Sequence, residues 1–200
     1  EPALPKTEAR TGRALSPYAA SKQMDEAYAE VFARCYGTAA IGLRYFNVFG
    51  PRQDPQGPYA AVIPRWVAAM IAGTPCRIHG DGETSRDFCY VDNVVQANLR
   101  AALVEDPAAV GQVYNVAVGG RTTLGQLHAL LARSLQAHRP ALQVAPPLHG
   151  PFRAGDVRHS EADIGKAQRL LGYRPRYGLE AGLAESAPWF LANFSAAAGD

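Results

Sequence analysis

No stretch of this chain is apolar for anything close to the roughly 18 residues a membrane-spanning helix needs. The first residues, Glu-Pro-Ala-Leu-Pro-Lys, have no signal-peptide character and no initiator methionine. Charge of one sign is also scarce. Twenty basic residues against 18 acidic ones leave a formal net charge of +2, which gives no support for binding nucleic acid or an anionic membrane. Cysteine occurs only three times, at 35, 76 and 89, with no C-x-x-C spacing. An odd, scattered set argues against a disulfide framework or a zinc site and makes a reducing, cytoplasmic compartment the default expectation. The five histidines show neither H-x-x-x-H nor H-E-x-x-H spacing, so no metal centre is expected. Internal repeats and low-complexity tracts are absent too. What remains is 200 residues, 48% of them hydrophobic, enough for one or two globular domains with a real core.

The local pattern alternates between helical and strand-like segments. Ser16 is a natural N-cap and Pro17 a natural first helical residue, so a helix is predicted over 17–36 with Gly37 as its stop. Ala20, Met24, Ala27, Val31 and Cys35 recur at helical steps and predict its buried face. Residues 39–46 and 113–118 read as buried parallel strands. Between them a loop over 52–60, a helix over 61–72 and a short strand over 76–79 are expected. A turn at Gly80-Asp81-Gly82 then leads into a returning strand over 84–91. Asp92 is placed to cap a helix over 93–104 whose apolar side is Val94, Val95, Leu99, Ala102 and Leu103. Thr123 caps a helix to about 136 with Leu127, Leu130, Leu131 and Leu135 inward. Residues 138–156 read as irregular, and Ser160-x-x-Asp163 as a capping box for a short helix ending near 171. A last helix from 179 is expected to be kinked or shortened at Pro188, with Trp189 and Phe190 on the core and a frayed tail over 195–200.

The candidate chemistry begins at Tyr18 and Lys22, which share one helix face at i, i+4. A nearby ammonium favours a phenolate over a phenol, and that makes a tyrosine hydroxyl a usable acid/base group. Alone, the spacing is common on ordinary surface helices. Asn47 follows the carboxyl end of a predicted parallel strand, where ligands of open α/β sheets bind, although an Asx-turn residue would sit there equally well.

Four pieces occur in order: Tyr18-x-x-x-Lys22; Leu43-Arg44-Tyr45-Phe46-Asn47-Val48-Phe49-Gly50-Pro51; Gly80-Asp81-Gly82 with Arg86-Asp87-Phe88-x-Tyr90-Val91-x-Asn93; and Arg153-x-x-Asp156. In combination they resemble the C-terminal part of the extended short-chain dehydrogenase/reductases that act on nucleotide sugars, above all the UDP-N-acetylglucosamine and UDP-glucuronate 4-epimerases. The resemblance implies an α/β fold: the C-terminal part of an NAD(P)-binding Rossmann fold, a parallel sheet with helices on its faces, plus a smaller substrate-binding domain. Residues 1–50 and 88–120 would belong to the first, 51–87 and 121–200 to the second. It also implies NAD as cofactor, a UDP-sugar as substrate and a homodimer when full length, with the helices over 17–36 and 92–104 as candidates for its interface.

Carried over by resemblance, Tyr18 is the acid/base at the sugar 4-hydroxyl and Lys22 binds the nicotinamide ribose. Val48 holds the cofactor carboxamide through its backbone, and Asn47 binds the sugar nucleotide. Ala61 and Val62 lie against the nucleotide, and the strand around Arg77 and His79 passes the uracil. Those two residues depart from the aromatic or amide-like flanks expected there. Arg86 and Arg153 clamp the diphosphate as planar forks of donors, and Asp156 accepts from ribose hydroxyls. Ser160, four residues on, is small enough to leave room for an N-acetyl group at C2. The blander readings are an Arg86–Asp87 surface ion pair, an Arg153–Asp156 loop pair and a Ser160 that only caps a helix. Other nucleotide-sugar enzymes, dehydratases or decarboxylases, and a non-catalytic truncated subunit are the alternatives.

The Gly-rich phosphate turn of a first βαβ unit, G-x-x-G-x-x-G, occurs nowhere in the 200 residues. A full family member needs roughly another 130–150 residues, about one Rossmann half. A fragment is therefore expected, binding NAD poorly and inactive alone, with the strands at 39–46 and 113–118 exposing an edge.

Overall fold

A computed structural model describes residues 3–56, 61–153 and 155–194. Residues 57–60 of the loop expected over 52–60 and the tail over 195–200 lie outside them. The chain is mixed α/β. Helix α1, Pro17–Tyr36, begins as its sequence dictates: Ser16 Oγ accepts from the Ala19 amide at 3.1 Å. It ends at Gly37, whose φ of 67° lets its N–H reach the Ala33 carbonyl. Yet no residue of α1 is buried. Met24 is 61% exposed and Val31 40%, so the expected inward stripe faces outward. Periodicity reports that a helix is two-faced, not that something covers the apolar face. What holds α1 is polar: Arg44 grips Glu26 with two hydrogen bonds, at 2.6 and 2.7 Å, and donates to the Glu8 carbonyl at 3.0 Å.

Strand β1, Ile41–Tyr45, is half-buried rather than buried. It pairs in parallel with β6, Gln112–Val116, in the register Ile41 to Gln112. Strand β2, Val48–Phe49, pairs in parallel with β5, Cys89–Tyr90. The segment 84–91 is thus not one returning strand. It divides into β4, Ser85–Arg86, antiparallel to β7, Thr122–Thr123, and the separate β5. Strand β3, Arg77–His79, pairs with β8, Leu148–Gly150, inside the stretch expected to be irregular. β8 is too short and too Pro-flanked to show a period.

Helix α2, Val62–Ile71, carries Pro64 in its first turn, where the missing N–H has no helical partner to lose. Helix α4, Leu124–His138, opens on a full capping box between Thr123 and Gln126, worth about 1 kcal/mol. Its Leu127, Leu131 and Leu135 are buried. With helix α6, Leu179–Phe194, these form the larger apolar core, which includes Phe49, Trp66, Met70, Ile78, Leu183 and Phe190. Pro188 does not shorten α6, because Ala184, whose carbonyl it orphans, faces solvent.

Helix α3, Val91–Leu103, is capped from Tyr90 without a side-chain bond, and Asp92 lies in its first turn rather than at the cap. Its face is rotated from expectation. Asn93 and Ala97 are buried, while Val95, Leu99 and Leu103 are 49%, 57% and 76% exposed. A polar residue fixes this rotation. Asn93 accepts from the Arg176 and Tyr177 amides at 2.8 and 3.1 Å and donates to the Tyr177 carbonyl at 2.8 Å. Helix α5, Gly165–Leu170, packs with α3 and β6 around Tyr114, Val116 and Tyr173 in a second core. Ser160 does not cap α5. Asp163 does the nearest equivalent, accepting from the Gly165 amide at 2.7 Å.

Candidate active site

Tyr18 and Lys22 stand one turn apart at the start of α1, with the ammonium 5.7 Å from the phenol ring centroid. Tyr18 is 61% exposed. Lys22 donates to Asp25 at 2.9 Å, and that bond, with the carboxylate's charge, raises the lysine above its ordinary value. It is a reliable cation at every physiological pH.

The second group of residues is assembled by strand ends. Asn47 sits between β1 and β2 and donates through Nδ2 to the Asp87 carbonyl at 3.1 Å. Val48 begins β2, and its carbonyl accepts from Gln53 at 3.0 Å. Arg86 ends β4. Its guanidinium donates to Asp156 at 2.5 Å and to the Ser85 and Arg158 carbonyls at 2.9 and 3.3 Å. The side chain is 15% exposed and its partner 44%, so this cation is largely withdrawn from water. Arg86 thus pairs with Asp156, from 70 residues away, rather than with its neighbour Asp87. Ser160 donates its amide to the Ser85 carbonyl at 3.0 Å, which sets it beside the same strand. Asn47, Arg86, Asp156 and Ser160 are therefore linked through residues 85–87.

The remaining candidates are more dispersed. Arg153 is exposed, and its carbonyl accepts from the Asp156 amide in a turn at 3.3 Å. Arg77 and His79 flank the buried Ile78 on the exposed face of β3. His79 Nδ1 lies 3.3 Å from the Pro151 carbonyl, which ties that strand to the segment carrying Arg153. Ala61 and Val62 are half-buried at the start of α2.

Gly80, Asp81, Asp87, Phe152 and Arg158 were not among the candidate site residues. Asp81 pairs with Arg158 at 2.5 Å, and Arg158 also stacks 5.1 Å from the centre of the Phe152 ring. Gly80, at φ 87°, lets that ring close onto its Cα, where a Cβ would collide with it. Asp87 turns inward, its carboxylate taken by backbone amides. Burial pushes its carboxyl above the usual range, and the amides of Val118, Ala162 and Gly119 that bond to it pull it back in part. An acid directly before the apolar run Phe88-Cys89-Tyr90 hints that Asp87 is buried, though not what it bonds to.

This fold and this order of residues define a short-chain dehydrogenase/reductase architecture. The chain belongs to the NAD dependent epimerase/dehydratase family, whose model matches residues 1–117. It is 36% identical to the UDP-glucose 4-epimerase of Mycolicibacterium smegmatis over 94% of its own length and 57% of that protein's. Among solved structures it is similar to the UDP-glucose 4-epimerase of Thermotoga maritima with UDP-glucose, at 40% identity and a TM-score of 0.84. That match covers 94% of this chain and 57% of the other. It is also similar to the UDP-N-acetylglucosamine 4-epimerase of Methanobrevibacter ruminantium with UDP-N-acetylmuramic acid, at 37% identity and a TM-score of 0.86, over 96% and 59%. The chain thus spans a little under three-fifths of the length of these relatives.

Proposed function

We propose that the protein inverts C4 of a UDP-hexose that carries an N-acetyl group at C2, through a 4-keto sugar, with NAD as cofactor. One observation carries the reading. Asn47, Arg86, Asp156 and Ser160, drawn from chain segments up to 113 residues apart, are joined through residues 85–87. Family membership and relatives that act on UDP-sugars support it.

The residues present fit the nicotinamide end of NAD. Lys22 offers three N–H donors, of which Asp25 takes one, beside a phenol that can share the ribose hydroxyls. The Val48 carbonyl has a second lone pair suited to a carboxamide N–H. NAD, when bound, supplies the acceptor and donor of hydride at C4. Tyr18 holds and moves the proton at the 4-hydroxyl, with the Lys22 ammonium 5.7 Å from the centre of its ring. Arg86 and Arg153 carry the diphosphate, Asp156 the ribose hydroxyls, and Asn47 the sugar nucleotide. Arg77, His79, Ala61 and Val62 border the base and nucleotide. This anchors binding energy in the part of the substrate that does not react, and the keto sugar is free to turn over between the two hydride steps. Ser160 leaves space for the C2 substituent.

We assign residues 1–50 and 88–120 to the cofactor domain and 51–87 and 121–200 to the substrate domain, with α5 returning to pack on β6. The exposed apolar residues of α1 and α3 support a homodimer. The deciding assay incubates the full-length protein with NAD and UDP-GlcNAc and looks for UDP-GalNAc. No conversion of UDP-GlcNAc, UDP-glucose or UDP-glucuronate would refute the reading.

A further inference from the structure

Asp87 is 1% exposed, yet it plays no part in the chemistry proposed above. Its two carboxylate oxygens accept three backbone N–H groups: Val118 at 3.0 Å, Gly119 at 3.0 Å and Ala162 at 3.3 Å. The first two lie just past β6. The third lies two residues beyond Ser160 and six beyond Asp156. The backbone carbonyl of Asp87 accepts Asn47, and the preceding residue is Arg86, which pairs with Asp156. One buried side chain therefore ties the segment after β6 and the segment carrying Asp156 to the strand carrying Arg86.

We infer that Asp87 is a positioning residue for the nucleotide site: it fixes the 156–162 segment against β4, so that Arg86 and Asp156 face a bound nucleoside diphosphate at a set separation. The inference rests on the proposed function. Only a carboxylate suits the place. Three donors converge on it from two segments, and an ionised carboxylate is acceptor-only with about four lone-pair sites. An asparagine there would turn an NH₂ group against incoming N–H groups. A buried charge is tolerable only where such donors replace water, so the three amides both require and permit it.

The test is a double-mutant cycle on UDP binding, followed by titration calorimetry with UDP as the probe. Asp87→Asn is expected to weaken UDP binding by about tenfold or more in the parent protein. In an Arg86→Ala background, where the Arg86–Asp156 separation it sets no longer counts, it should weaken binding by less than about twofold. Equal losses in both backgrounds, or no loss in the parent, overturn the inference and leave the proposed function standing. A parent protein that does not bind UDP overturns the proposed function and the inference together. If Asp87→Asn does not fold, hydrogen exchange on the parent decides. Saturating UDP should slow exchange at the amides of Val118, Gly119 and Ala162, because those amides open only when the site does. Unchanged exchange there overturns the inference.

Discussion

Replacing Gly182 by alanine sets two effects of known size against each other. Gly182 lies inside α6 where the helix crosses the β2–β5 pair. A Cβ there would stand 2.8 Å from Phe49 Cζ, 2.8 Å from Tyr90 Cβ and 2.9 Å from Tyr90 Cγ. In an open helix the change is favourable, since alanine exceeds glycine by about 1 kcal/mol in helix propensity. Here the methyl has nowhere to go. Phe49 and Tyr90 are 1% and 6% exposed, their rings lean together at 5.6 Å, and Tyr90 is further pinned by Tyr177 at 5.0 Å. Tyr90 Cβ sits on the backbone of a paired strand and cannot rotate aside. Overpacking of this kind costs about 1–3 kcal/mol, and the rigid neighbour places it near the upper end. The net loss expected is about 2 kcal/mol, or a fall in Tm of about 4–8 °C for a chain of this size. Gly125 is the control. It also lies in a helix, α4, but its Cβ would meet nothing closer than 3.8 Å. Gly125→Ala should therefore be neutral or stabilising by up to about 1 kcal/mol. Thermal and urea unfolding of the two variants beside the parent supply the comparison. A Gly182→Ala protein that gains stability as Gly125→Ala does would refute the close-packed account of this joint.

Three further expectations follow from buried groups. His128 packs edge-on against Trp66 at 6.0 Å with its Nε2 buried and without a hydrogen bond among the described residues, and burial lowers its pKa. Because the folded value lies below the unfolded one, the unfolded state binds the extra proton. The contribution is present above the ordinary histidine value and is lost as pH falls below it. The urea midpoint should drop between pH 7 and 5, and His128→Leu should flatten that drop. A variant with the same slope as the parent would disprove the assignment. Tyr173→Phe removes an O–H that donates to the Ala117 carbonyl at 2.7 Å in the second core, so unfolding should come about 1–2 kcal/mol sooner; an unchanged urea midpoint counts against it. Native thiol labelling should modify Cys35 alone at speed, because Cys76 and Cys89 are buried and burial pushes both thiols up to about 11. Two fast-reacting thiols would contradict this.

What was legible in the sequence is what is decided locally. The ends of α1 and α4 were readable from Ser16, Gly37 and Thr123, because a cap is a bond between residues three or four apart. The buried faces were less so. The stripe on α1 is real but uncovered, and α3 is turned by Asn93, a polar residue whose partners lie 83 and 84 residues away. Arg86 and Asp156 were readable as a cation and a carboxylate of the right type. That they meet each other was not, since the pairing is made by strand β4 and the loop after β8. Asp87 was passed over for the same reason. Its amides come from 31 to 75 residues further along, and nothing in its immediate neighbours announces them.

Among the described residues, all four strand pairs join segments far apart in the chain, and none is a hairpin. Ile41 waits for Gln112, and Arg77 for Leu148, each 71 residues later. At a ribosomal pace of about 5–20 residues per second, β1 is out for about 4–14 seconds before its partner exists. During that time its main-chain donors and acceptors are open to any other extended chain. Contacts this distant in sequence predict that the sheet pairs close later and more slowly than the helices form. The proposed nucleotide site, which needs β4 and the segment after β8 together, forms only after both have been made.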